Sequence, residues 1–144
     1  MKEKDDKMKY IAHKDGEREQ TIKEHLIGTA TLAGQFAEKF GSKDWGYCGG
    51  MLHDIGKYSE EFQKKINEDT NNMVDHATAG AQLCKKINLP VLDYCIAGHH
   101  AGLPDYGNTA ERSSYVEDIK RKYIIMKHIK KKLKFQRFIQ NRSI

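Results

Sequence analysis

Histidines stand at four stations along this chain, with one aspartate among them: His25, the adjacent His53 and Asp54, His76, and the adjacent His99 and His100. A neutral imidazole gives one nitrogen lone pair to one cation, whereas a carboxylate has two oxygens and can bridge two. Gathered in one cleft, these six side chains could hold one or two divalent metals. Two metals about 3.5–4 Å apart are a common device for hydrolysing phosphoesters, because together they grip the phosphate and activate water. Imidazole-rich ligation favours Mn, Fe, Co, Ni or Zn over Mg, which prefers oxygen.

Each position has a plainer reading. A lone histidine near a helix start is more often a cap or a half-buried core residue, and a lone His-Asp pair is common. Six candidate ligands at four spaced helical positions, all bordered by small or apolar residues, are much harder to produce by chance. Lys57 follows Asp54 by three residues and His53 by four, on their side of a helix. An ammonium there would steady Asp54 or meet a substrate phosphate. Gly56-Lys57 is no phosphate-binding P-loop, since that would need Gly at 51 and Ser or Thr at 58, and the chain has Met51 and Tyr58. His13 and His128 sit in polar or basic stretches and read as solvated.

The elements that must position these residues read as helices. Thr21 opens a pattern in which Ile22, Leu26, Thr29, Ala33, Phe36 and Phe40 recur at three- and four-residue steps before Gly41. Glu24 completes a capping box with Thr21, and His25 lies at the edge of the apolar stripe. A second helix is expected from about Asp44 to Lys57, with Trp45, Cys48, Met51, Leu52 and Ile55 inward. On such a helix His53 and Asp54 diverge by about 100°, so both reach one cluster only from the helix edge or across its axis. Ser59 caps a third helix, Glu60 to Asn67, with Phe62 and Ile66 inward, and 68–73 is a polar loop. Asp75 caps a fourth, His76 to Ile87, whose Ala77, Ala79, Gly80 and Ala81 permit close approach; Asn88 and Pro90 end it. A fifth runs from Val91 to about His100, with Gly98 and Gly102 bracketing the two histidines, and 111–140 reads as a sixth, basic helix. Residues 1–20 read as polar and irregular, with a turn at Asp15-Gly16 and no convincing strand. The expected fold is an all-α bundle of about five to six helices.

The bulk numbers fit a folded domain. Of 144 residues, 38% are hydrophobic and 31% charged, which excludes a wholly disordered chain. No apolar run approaches a membrane span, and MKEKDDKMKY has no apolar segment of a secretory signal. Cys48, Cys84 and Cys95 are odd in number and lack CxxC spacing, which suggests reduced cysteines in a cytoplasmic protein. Charge is uneven: 111–144 holds 11 Lys/Arg against 3 Asp/Glu, net +8, while 1–110 holds 14 against 17, net −3. The expected division is a core over 1–110 and a basic C-terminal segment over 111–144. That segment suggests a polyanion partner such as nucleic acid, the alternative being a solvated helix face.

The order His25, Leu-His53-Asp54-Ile-Gly-Lys57, Asp-His76-Ala-Thr-Ala-Gly-Ala and Gly-His99-His100-Ala-Gly-Leu-Pro resembles the HD superfamily of metal-dependent phosphohydrolases. More narrowly it is similar to the HD nuclease domain of the CRISPR-associated type I helicase-nuclease. Tyr10-Ile11-Ala12-His13-Lys14, the Ser59-Glu-Glu-Phe62-Gln63 stretch and the doubled histidine before Gly102-Leu103-Pro104 carry that narrower likeness, which spans roughly residues 9–108. The resemblance implies a helical nuclease that cuts single-stranded DNA with divalent metals in antiviral defence, alongside a separate helicase and an effector complex. It implies one metal on His25, His53 and Asp54, a second on Asp54, His76, His99 and His100, and Lys57 assisting the phosphate. The family's last aspartate ligand has no clear counterpart here; Asp118 is the only aspartate in the basic segment. The first ligand set is therefore one short. That gap keeps two other readings open, a small-molecule nucleotide phosphohydrolase and a non-catalytic domain that binds metal or nucleic acid.

Overall fold

A computed structural model of the chain describes residues 9–100, 102 and 103. The expected sixth helix, the 110/111 boundary, Asp118 and His128 lie outside these residues. Within them the chain forms a β-hairpin followed by five α-helices and one 3-10 segment.

The hairpin, β1 (Ile11–Asp15) paired antiparallel with β2 (Arg18–Thr21), corrects the reading of residues 1–20 as irregular. Its turn falls at the expected Asp15-Gly16, with Asp15 paired to Arg18. The register shifts between Ile11 and His13, so Ala12 bulges. Ile11 and Ala12 are buried while the rest of β1 and most of β2 are exposed, and this is why no apolar alternation marks the strands. Gln63 clamps the strand to the bundle: its side-chain oxygen accepts from the Ile11 N–H, and its amide donates to the carbonyls of Ile11 and Lys57.

Helix α1 (Ile22–Glu38) starts at the expected capping box, the Thr21 hydroxyl accepting from Glu24 N–H and the Glu24 carboxylate accepting from Thr21 N–H. Its buried stripe is Ile22, Leu26, Ala30, Gly34 and Ala37, whereas Phe36 and Phe40 are 57% and 74% exposed. The expected stripe shares Ile22 and Leu26 with it but continues through Thr29, Ala33, Phe36 and Phe40. The packed one follows the small residues, because α2 (Lys43–Leu52) presses its own glycines against Ala30 and Ala33 at backbone distance.

The expected second helix is divided. It stops at Leu52, His53 keeps helical angles, Asp54 turns out of them (φ −116°, ψ 18°), and a 3-10 segment, Ile55–Tyr58, follows. Helix α3 (Glu60–Glu68) is capped by Ser59 as expected, and α4 (Ala77–Lys86) by Asp75, which accepts from the Thr78 N–H and hydroxyl. Asn88 in a left-handed conformation ends α4, and Pro90 begins α5 (Pro90–Gly98). Ile22, Leu26, Leu52, Ile55, Ala81, Cys84 and Ile96 form the shared core.

Two glycines set how closely the pieces meet. A Cβ on Gly80 would lie 2.0 Å from the Leu52 carbonyl oxygen, and one on Gly56 would lie 2.1 Å from that of His76. The first contact seats α4 against the end of α2. The second seats the 3-10 segment against the start of α4.

Candidate metal centre

The five expected histidine ligands converge on the sixth, Asp54, which is 3% exposed at the break between α2 and the 3-10 segment. Because the helix ends between His53 and Asp54, the two need not diverge as consecutive helical residues do. His53 Nε2 lies 3.3 Å from Asp54 Oδ2. His25 projects from the first turn of α1, His76 from the N-terminus of α4, and His99 and His100 from the C-terminal end of α5.

The two carboxylate oxygens face different groups. Oδ2 meets His25 Nε2 at 2.9 Å, His53 Nε2 at 3.3 Å and Lys57 Nζ at 2.9 Å. Oδ1 meets Nε2 of His76, His99 and His100 at 3.5, 3.3 and 3.9 Å. Asp54, His76, His99 and His100 thus bring one donor atom each within 4.8 Å of one another. This is the set that the family resemblance assigns to the second metal.

Backbone carbonyls fix which nitrogen each ring offers. The Nδ1 atoms of His53, His76 and His99 lie 2.8, 3.1 and 2.6 Å from the carbonyls of Gly50, Val74 and Ile96. A carbonyl only accepts, so each Nδ1 carries a proton, and in the neutral ring Nε2 presents its lone pair toward Asp54. Ligating histidines are oriented by this same outer hydrogen bond. Lone pairs turned toward a carboxylate, with His76 and His100 Nε2 only 2.7 Å apart, form a donor set that a cation between them satisfies. The residues fit divalent metal.

Electrostatics agree. Burial alone would raise the Asp54 pKa, but its contacts with His53, His99 and the Lys57 ammonium hold it below the ordinary carboxylate range. The shift favours the carboxylate form of Asp54. Burial lowers the pKa of His25, His76 and His100, favouring the neutral form that binds metal. The hydrogen bond to Asp54 raises that of His99.

Lys57 occupies the place its spacing suggested, 4% exposed and with its ammonium on Asp54 and over the Phe62 ring. His13 is exposed, as its polar surroundings suggested, yet its Nε2 lies 3.0 Å from Lys57 Nζ. Missing the hairpin hid this residue, although the Tyr10-Ile11-Ala12-His13-Lys14 segment already carried part of the family likeness. A cleft of 570 Å³ opens over the cluster, lined by His13, Lys14, Lys57, Lys65, His76 and His100 among others.

Comparison with known proteins bears on the same residues. The chain is 30% identical over 101 residues to the [1-hydroxy-2-(trimethylamino)ethyl]phosphonate dioxygenase (glycine-betaine-forming) of Leisingera caerulea. The alignment covers 65% of this chain and 49% of the relative, so the chain spans about half the relative's length. The HD domain family model matches residues 22–131, which include His25, the His53-Asp54 pair, His76 and both His99 and His100. The chain belongs to the HD domain family.

Proposed function

We propose that this protein is a metal-dependent phosphodiesterase that cuts single-stranded DNA in CRISPR antiviral defence. The observation that carries the metal chemistry is the two-sided environment of Asp54: one buried carboxylate with imidazole nitrogens on both oxygens. His25, His53 and Asp54 would hold one divalent ion, and Asp54, His76, His99 and His100 a second. Bound there, such ions supply Lewis acidity toward a phosphoryl oxygen and lower the pKa of water. Asp54 spaces the two sides, and the carbonyls of Gly50, Val74 and Ile96 hold the rings of His53, His76 and His99 in place. Lys57 places positive charge at the cleft floor, while Lys14 and Lys65 line its walls, as an anionic backbone requires. The open cleft and the net charge of +8 over 111–144 support a polymeric substrate over a mononucleotide.

The relative favours a second reading, in which the same histidines serve oxidation of a small phosphonate. That chemistry needs a redox-active metal such as iron, which an imidazole-rich set accepts. One experiment separates the readings. The protein loaded with Mn²⁺ is given a single-stranded oligonucleotide, its duplex and mononucleotides; loaded with iron it is given a 1-hydroxyphosphonate while oxygen is followed. Degradation of the single strand alone, abolished by chelation, is expected. Oxygen uptake with intact DNA would replace the first reading by the second.

A further inference from the structure

Resting on the reading of this cluster as a two-metal site, we infer that His13 of β1 is a ligand of the metal held on the Oδ2 side of Asp54, supplying the donor that His25, His53 and Asp54 lack. His13, His25 and Asp54 each bring a donor atom within 4.8 Å of the others, a second such grouping beside that of Asp54, His76, His99 and His100. The His13 and His25 rings meet edge to face with centroids 4.7 Å apart. An ammonium has only hydrogens to offer, so the 3.0 Å contact with Lys57 Nζ makes His13 Nε2 the acceptor. Its lone pair is therefore turned into the site.

Lys57 marks where a cation is held. Its ammonium lies between His13 Nε2 at 3.0 Å and Asp54 Oδ2 at 2.9 Å, buried with its partner. With a divalent ion held among His13, His25, His53 and Asp54, the Lys57 ammonium would be free to meet a substrate phosphate. The strand is anchored for such a role. The bulge at Ala12 interrupts its register just before His13, and Gln63 bonds both polar groups of the Ile11 backbone together with the carbonyl of Lys57 itself. The hairpin and the 3-10 segment are thus tied by one side chain, fixing His13 relative to Lys57. On the Oδ2 side His13, His25 and Asp54 would then supply grouped donors with His53 Nε2 3.2 Å from that of His25, against four grouped donors on the Oδ1 side.

Co²⁺ titration of the full chain, followed by calorimetry and visible absorption with metal counting after dialysis, tests this. The wild type is expected to hold two Co²⁺. His13→Ala is expected to hold one, or to bind the second at least roughly 10–100-fold more weakly, and His100→Ala to weaken the other site instead. His13→Gln keeps an acceptor for Lys57 but is a poor ligand, so it should match His13→Ala if His13 is a ligand. It should match the wild type if His13 only positions Lys57, which would overturn the inference. Two Co²⁺ of unchanged affinity in both His13 variants would overturn it equally. A wild type that binds no Co²⁺ defeats the metal-centre reading itself, a result distinct from a wild type whose binding ignores position 13.

Discussion

The two sides of the Asp54 carboxylate are built differently. Oδ1 faces three imidazoles, all from the later helices α4 and α5, with no lysine ammonium among its described partners. Oδ2 faces two imidazoles and the Lys57 ammonium, a charge the chain carries itself. Without metal, only the Oδ2 side has a permanent positive partner. On the Oδ1 side the hydrogen bond to Asp54 raises the His99 pKa, favouring a charged ring there. In the proposed two-metal site the Oδ1 side would rely on an external cation, whereas on the Oδ2 side an entering metal would compete with a resident ammonium. The Oδ1 side should therefore fill first.

Removing the shared anion is the most severe way to break this arrangement. Asp54→Asn keeps the shape but deletes the charge that both sides use, and we expect metal content to fall to near zero and hydrolysis to background. Retention of one tightly bound metal would show that the histidines alone suffice on one side. Lys57→Met probes the asymmetry directly. Deleting one partner of a buried ion pair leaves the other uncompensated, at a cost of about 3–5 kcal/mol. We expect a lower thermal midpoint without metal and a larger upward shift on adding Mn²⁺ than the wild type shows, because metal binding to the native state stabilises it by mass action. Equal metal-induced shifts would mean that Lys57 does not occupy the competing position.

A smaller effect is expected where the two sides are joined. Gly56→Ala puts a methyl 2.1 Å from the His76 carbonyl, so the 3-10 segment and the start of α4 must part. We expect roughly 1–3 kcal/mol of destabilisation from overpacking, seen in denaturant unfolding, with metal affinity falling more on the Oδ1 side because His76 moves. The least effect concerns the core beneath. Burial pushes the Cys84 thiol up to about 12, so at pH 8 it stays protonated and should resist alkylation while exposed Cys95 reacts. Mass-mapped modification of Cys84 in the folded protein would show the α4 packing to be looser than described.

Much of the site was legible before the fold. The capping residues Thr21, Ser59 and Asp75 were found because their side chains act within four residues of sequence. The small residues of α4 were rightly read as a sign of close approach, which Gly80 shows against Leu52. The hairpin was not legible, because β2 (Arg-Glu-Gln-Thr) presents no apolar face to alternate. Nor was the true stripe of α1. Periodicity favours the large Phe36 and Phe40, whereas helices in backbone contact select Ala30, Gly34 and Ala37.

By itself the sequence determined the helical class and singled out five histidines and Asp54 as candidate ligands, since both depend on residue types and short spacings. Only the tertiary structure decided how those side chains share one carboxylate. The break of the helix after His53 turns Asp54 so that its two oxygens look to opposite sets of rings, and carbonyls at Gly50, Val74 and Ile96 choose which nitrogen each ring presents. The placement of His13 beside Lys57 likewise came from a strand pairing and a glutamine clamp reaching across 52 residues of chain. Such contacts join residues far apart in sequence, and no local pattern encodes them.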